Sequence, residues 1–319
     1  MMGKSVTPTV ESGLLVAITV ILGAVSFFIP IFGMFVEFFC AVPLAVLTTR
    51  QGVGKGLTAT VVSFILLAML ISPIPALRLA LSFGLCGVAL GWGVRKNFDA
   101  IRIFFTLLVV SSAAQVFTLL LLIAVVDANF IDTQIAMLRE SFAESFAMYE
   151  AMGVDAERIA EAKSQVEPAL QTLLLIIPTI MLINALLTAA ATWLTAHWIF
   201  PKLQMKLPTL PPFAEWRFPV LFFYTATIGG LGLYWGLTRG WTEIQMISLN
   251  LLLVSGFIGL IQGLALLSAL FDRHNVSKFV RRLIYVVLML NLFFIQLVAI
   301  TGLIDMLFDY RKKFFRGGD

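Results

Sequence analysis

The run IFFTLLVVSSAAQVFTLLLLIAVV, residues 103–126, holds 24 positions without one ionisable side chain, and Asp127 ends it. About 20 apolar residues carry a helix across the roughly 30 Å hydrocarbon layer of a bilayer, so this run is long enough to span one. Backbone N–H and C=O groups in hydrocarbon must be satisfied within the segment, which makes the run a helix. Working outward, the stretches 12–29, 31–49, 56–72, 76–94, 169–198, 218–237, 244–270 and 283–306 reach or approach the same length. Several are divided only by a proline or a short turn, as at Pro30 and at Ser72-Pro73-Ile74-Pro75.

Composition supports the same reading. The chain has 319 residues, 60% of them hydrophobic and 13% charged, and a mean hydropathy of +0.98. Soluble domains carry about 25% charged residues, so half the usual charge would have to disperse a larger apolar fraction in water. A secreted disulfide scaffold, a zinc-finger array, a disordered tail protein and a soluble α/β enzyme are excluded. The expected fold class is all-α: a polytopic transmembrane bundle of eight to nine spans in contact with the lipid bilayer. Cys40 and Cys86 sit far apart in apolar runs and read as buried reduced thiols.

The net charge of +4 is unevenly spread. Residues 127–167 hold nine acids against Arg139, Arg158 and Lys163, a local charge of −6 that leaves +10 for the remainder. Cations scattered between apolar segments are those of membrane-flanking loops, and nucleic acid is not an expected partner. Placing Arg50 and Lys55 in the cytoplasm puts 13 cations on that side, among them Lys4, Arg95, Lys202, Arg217 and Arg273. The tail cations Arg311, Lys312, Lys313 and Arg316 obey the rule only if one of the last three apolar stretches is re-entrant; otherwise the tail is external. Lys4 precedes an apolar run with no A-x-A-like cleavage site, which reads as a retained first helix. Trp193, Trp198 and Trp216 are expected in one interfacial belt.

Between the spans, residues 127–168 form the one sizeable polar stretch. Ile131, Ile135, Leu138, Phe142, Phe146 and Tyr149 recur at spacings of three and four, one apolar stripe on a helix whose other face carries Arg139, Glu140 and Glu144. Gly153 breaks that helix, Asp155 caps a second short one, and Pro168 marks a kink or a new start. An acidic, amphipathic, extracytoplasmic helical hairpin results. The chain therefore divides into a five-span bundle at 1–126, the hairpin at 127–168, and C-terminal spans with a basic tail at 169–319.

Polar groups inside the spans are the candidate site residues, because burying each of them is costly. Glu37, Arg78, Gln115 and Asn184 are the candidate ligand-binding set, with Glu37 and Arg78 both towards the outer half, where either could meet a ligand or the other. Gln262, Asn250, Asn291 and Gln296 read first as interhelical hydrogen bonds. Asp305 and Asp309 with Arg311 read as a solvated helix end. Small residues four apart (Gly13 and Ala17, Gly87 and Gly91, Gly259 and Gly263) let helices approach closely, and Gly13 with Ala17 is the candidate grip for a partner helix. Gly52-Val53-Gly54-Lys55-Gly56 lacks phosphate-loop spacing and reads as a flexible turn. His197 and His274 have no carboxylates at ligand spacing, so no metal or other cofactor is expected. With no Ser-His-Asp, Cys-His or H-E-x-x-H arrangement, no enzyme activity is expected either.

Two resemblances add to this. Pro30-Ile31-Phe32-Gly33, Ala41-Val42-Pro43-Leu44, Arg50-Gln51-Gly52 and Gly84 to Gly93 ahead of Arg95-Lys96 resemble the substrate-binding S components of energy-coupling factor vitamin transporters. Gly153 with Glu157, Ile177-Pro178, Leu207-Pro208 to Pro212, Glu215-Trp216-Arg217-Phe218-Pro219 and Gly302-Leu303-Ile304-Asp305 with Arg311-Lys312 are similar to the uncharacterised bacterial YybS-like membrane proteins, over most of the chain. The resemblance implies a bacterial inner-membrane protein that binds a small molecule, with energy supplied by ATPase subunits through a membrane scaffold. The 127–168 insertion and the extra C-terminal spans depart from the six-span S-component pattern. The alternative function is a non-transport scaffold that recruits envelope proteins.

Overall fold

The computed structural model describes residues 7–29 and 32–315. Lys4, Pro30, Ile31 and Arg316, which entered the reading above, lie outside the described residues, as does the side chain of Lys313. The described residues are helical with no strand: α1 Pro8–Phe28, α2 Phe32–Glu37, α3 Ala41–Gln51, α4 Val53–Leu70, α5 Pro73–Leu79, α6 Leu85–Arg95, α7 Ala100–Leu121, α8 Phe130–Ala151, α9 Ala156–Ile199, α10 Leu221–Arg239, α11 Thr242–Arg273, α12 Lys278–Leu290, α13 Leu292–Phe308 and α14 Tyr310–Phe315. A π-turn at Ala80–Gly84 joins α5 to α6 as one span of 23 residues. Among the described residues, six helical segments are long and apolar enough to cross a membrane, and the bent pair α12–α13 makes a seventh only if it counts as one span.

The chain packs as two units: one runs to Ile159 and takes in Met181–Leu210, and the other comprises Ala160–Ile180 and the chain from Pro211 onward. This division follows packing, whereas the one read from the sequence follows polarity.

In the first unit, α3 is the central element. Every residue from Ala41 to Thr48 is buried, and Pro43 is tolerated because it falls in the first helical turn, where N–H groups lack intrahelical acceptors anyway. The apolar stretch 31–49 is thus a broken return, α2 then α3, rather than one straight span. Its far end is stitched to the start of α1: Gln51 Nε2 donates to the Pro8 carbonyl at 3.0 Å and to Glu11 Oε2 at 3.0 Å, and Arg50 pairs with Glu11. Gly52, at φ +96°, makes the reversal into α4 alone, and Val53 onward is already helix; the flexible turn expected at 52–56 is one residue long. Against α3 lie α6 and the later part of α9, with Leu90, Ile103, Leu107, Ala189, Ala196 and Phe200 in a common core. Trp193 belongs to that core at 3% exposure, so it is a packing residue and not the interfacial anchor expected of it.

Two expected local signals hold, and one element runs longer. Gly153 takes φ +78° beyond the end of α8, and the Asp155 carboxylate accepts from the Glu157 N–H at 3.0 Å as the N-cap of α9. The second hairpin helix does not stop at Pro168. It continues through Pro168 and Pro178 as the 44-residue α9, about 66 Å at 1.5 Å per residue.

In the second unit, α10 and α13 pack on α11. Gly229 and Gly236 of α10 and Gly259 and Gly263 of α11 bring backbones together: a Cβ on Gly259 would stand 2.7 Å from the Ala299 carbonyl oxygen. The last apolar stretch is bent by 107° between α12 and α13, where Asn291 breaks the helix and caps the next, its side chain accepting from the Phe293 N–H at 2.9 Å. Arg281 at the start of α12 binds Asp272 and the Phe271 carbonyl at the end of α11. Beyond α13, Arg217 reaches Asp309 at 2.8 Å, and Asp272, Arg273, Arg311 and Lys312 share one cavity. The α12–α13 pair therefore begins and ends at the same end of α11. The pair has the geometry of a re-entrant loop, and the tail cations Arg311 and Lys312 join Arg217 and Arg273.

Candidate functional site

Residue Glu37 closes α2, and Arg78 lies in the last turn of α5, which starts at Pro73 after an extended Ser72. The break at α2 and the restart at α5 bring the two side chains together, with Arg78 Nη2 2.6 Å from Glu37 Oε1. The Glu37 side chain is 14% exposed and that of Arg78 53%, so the acid is the more sheltered member of the pair. This pair can hold a charged or hydrogen-bonding group at its open, cationic side. Behind it, Thr19, Cys40, Thr60 and Ser63 line an enclosed cavity of about 10 Å³, room for about one water. The Ser63 hydroxyl is buried there without a hydrogen-bond partner.

The other two candidate ligand residues stand elsewhere. Gln115 is half-buried on α7, and Asn184 is exposed on α9. Among the described residues, no hydrogen bond joins either side chain to the Glu37–Arg78 pair. Gly13 and Ala17 are both exposed on α1, and a Cβ on Gly13 would meet nothing within 4 Å. Gly91, by contrast, is taken up inside the unit: a Cβ there would crowd the Ala45 carbonyl oxygen and Thr48 of α3. An open groove of about 920 Å³ lies between α6 and α7, lined by apolar groups that include Leu85, Trp92, Val110 and Phe117.

Residues first read as a solvated helix end form a buried polar network in the second unit. Asp305 and Arg311 are 3% and 4% exposed, which corrects that reading. Gln262 Nε2 donates to Asp305 Oδ2 at 2.6 Å, while its Oε1 accepts from the Phe218 N–H at 3.1 Å. The Tyr310 N–H reaches Asp305 Oδ1 at 2.9 Å, and Arg311 Nη1 donates to the Ala214 carbonyl. The cover comes from the 211–218 loop, some 90 residues away in sequence, so the spacing of Asp305 and Asp309 could not reveal it. An aspartate inside the apolar run Gly302-Leu303-Ile304-Asp305-Met306-Leu307 was the available signal. Nearby, Asn250 of α11 bonds Thr179 and the Leu175 carbonyl, an interhelical role as expected. Among the described residues, no group of three metal-type ligands occurs.

Outside the spans, Asp127 accepts from the Asn129 N–H and the Thr133 hydroxyl ahead of α8. These bonds, the backbone one first, hold its carboxyl below the usual aspartate range.

Span-length apolar helices held by a few internal polar pairs define a polytopic integral membrane protein. The chain belongs to the family described as predicted membrane protein (DUF2232), whose model matches residues 17–306. It is 21% identical over 314 residues to the uncharacterized protein YybS of Bacillus subtilis (strain 168), covering 97% of this chain and 99% of that one. The YybS-like resemblance read from the sequence therefore holds. No solved structure matches the chain.

Proposed function

We propose that the protein is a non-enzymatic scaffold of the bacterial cytoplasmic membrane that recruits a basic envelope protein through α8. The observation that carries this reading is the surface of that helix: none of its 22 residues is buried. Leu138, Phe142 and Tyr149 of its apolar stripe are 40%, 44% and 45% exposed, beside the exposed acids Glu140 and Glu144. An amphipathic helix that keeps an apolar stripe open next to acids suits a partner with an apolar groove rimmed by cations. The same acidity gives α8 no electrostatic attraction to anionic lipid headgroups, whereas a basic protein partner would complement it. A photo-crosslinker at Phe142, in cells, should give one discrete adduct that is lost when Glu140 and Glu144 are changed to Lys. A crosslink to lipid alone, or an adduct indifferent to those charges, would end this reading.

A second reading, a small-molecule-binding component resembling an energy-coupling factor S component, is favoured by the Glu37–Arg78 pair. In that reading the exposed Gly13 and Ala17 of α1 grip the membrane scaffold of an ATPase. It requires that Glu37→Gln and Arg78→Ala abolish uptake or binding of an identified solute without unfolding the protein, and that ATPase subunits co-purify.

A further inference from the structure

The second unit contains a feature that recruitment through α8 does not use. At the C-terminal end of α11, a cavity of about 650 Å³ is lined by the cations Arg217, Arg273, Arg311 and Lys312 together with the acids Glu215 and Asp272. Most of the local carboxylates are already committed. Asp272 pairs with Arg281, and Asp309 is shared between Arg217 at 2.8 Å and Lys312 at 2.9 Å. Asp305 accepts from Gln262 and from the Tyr310 N–H.

Arg311 is the unusual member. Its side chain is 5% exposed, yet of its three nitrogens only Nη1 donates, to the Ala214 carbonyl. Among the described residues, Nε and Nη2 are buried without a hydrogen-bond partner, and the nearest carboxylate oxygen, Oδ2 of Asp305, is 3.8 Å from Nε. Buried guanidinium donors are ordinarily satisfied. The Nε and Nη2 hydrogens form one edge of the planar fork, the edge that grips two oxygens of a phosphate or carboxylate in parallel. Three further cations around the same cavity suit a ligand that carries more charge than a carboxylate.

We propose that this cavity is a phosphate-binding site in which the Arg311 side chain turns out of its buried position to hold two oxygens through Nε and Nη2, while Arg273 and Lys312 neutralise the rest. The phosphate belongs either to the headgroup of an anionic lipid or to free phosphate. The cavity lies at the cation-rich end of the spans, where the positive-inside rule and an anionic leaflet coincide.

The test uses the full-length protein in nanodiscs of phosphatidylcholine alone, phosphatidylcholine with phosphatidylglycerol, or phosphatidylcholine with added inorganic phosphate. Thermal midpoints and lipids retained in native mass spectrometry are the readouts. Arg273→Gln with Lys312→Gln removes two exposed cations and leaves the buried network in place. Arg311→Lys keeps the charge but loses the fork. Arg239→Gln, at the opposite end of α10, is the control. Stabilisation by phosphatidylglycerol, or retention of it, assigns a lipid headgroup; stabilisation by inorganic phosphate alone assigns free phosphate. Either gain should weaken about tenfold in affinity in the double variant and in Arg311→Lys, as expected for lost charge-assisted hydrogen bonds, and stay unchanged in Arg239→Gln. The proposal is overturned if neither probe stabilises the wild type, or if the double variant and the Arg239→Gln control respond alike.

Discussion

Gln262 and Asp305 are joined by a 2.6 Å hydrogen bond between two side chains that are each 3% exposed. The bond ties α11 to α13, and Gln262 also accepts the Phe218 N–H of the preceding loop. A buried bond to a charged acceptor contributes about 1.5–3 kcal/mol. Gln262→Leu should cost an amount of that order. Asp305→Leu should cost more, about 3–5 kcal/mol, because it removes the acceptor of the Gln262 amide and of the Tyr310 N–H together with the counter-charge 3.8 Å from Arg311. Thermal unfolding in a mild detergent reads both, and equal, negligible shifts would show that the network is not structural.

The glycines divide into two kinds, which stability measurements should separate. A Cβ on Gly302 would fall on the Gly259 carbonyl and the Gly263 amide, so Gly302→Ala forces α13 away from α11 at about 1–3 kcal/mol. Gly13→Ala, within α1, meets open space and should leave the midpoint unchanged or raise it slightly, since alanine favours the helix. A large loss from Gly13→Ala would mean that α1 is packed on its outer side.

Re-entry of α12–α13 has a topological consequence. Single cysteines replacing Lys312 and Asn275 should be labelled by an impermeant thiol reagent from one side, and one replacing Thr238 from the other. The native Cys40 and Cys86 are buried and should give little background. Labelling of position 312 from the same side as position 238 would make α13 the end of a full crossing.

Breaks of this kind explain how far the sequence could be read. Apolar length located the spans, because hydrocarbon thickness sets it. It could not show that 31–49 is broken between α2 and α3 or that 283–306 bends back at Asn291, since lipid-facing and protein-facing apolar residues look alike. Asn291, a cap inside an apolar run, was the one local sign of the second break. Gly153 and Asp155 were legible because φ > 0 and an N-cap carboxylate are local requirements. Pro168 misled, as proline within a long helix is tolerated where neighbouring groups compensate. Glu37 and Arg78 could be singled out as costly groups, but their pairing depends on the break at α2 and the restart at α5. Asp305 and Arg311 were misread because their cover comes from a distant loop.

Acid should weaken the second unit through Asp309. Partial burial pushes its carboxyl up, but hydrogen bonds from Lys312 and the charges of Arg217 and Lys312 outweigh that and hold its pKa below the ordinary value. A depressed folded-state pKa stabilises the native protein fully above the unfolded aspartate value near about 3.9. That contribution is lost as pH falls through the lower folded-state pKa. Thermal midpoints followed from neutral pH downward should decline in this acid range, and less steeply in Asp309→Asn. Parallel curves for the two proteins would remove Asp309 as a contributor.

Recruitment through α8 is tested most directly by native mass spectrometry of the full-length protein drawn from its own membranes, beside the variant with Glu140→Lys and Glu144→Lys. The wild type should carry a basic protein partner in a defined stoichiometry, and the variant should be free of it while still folded. A wild type that carries no protein, or a partner retained equally by the charge-reversed variant, would contradict the role assigned to α8.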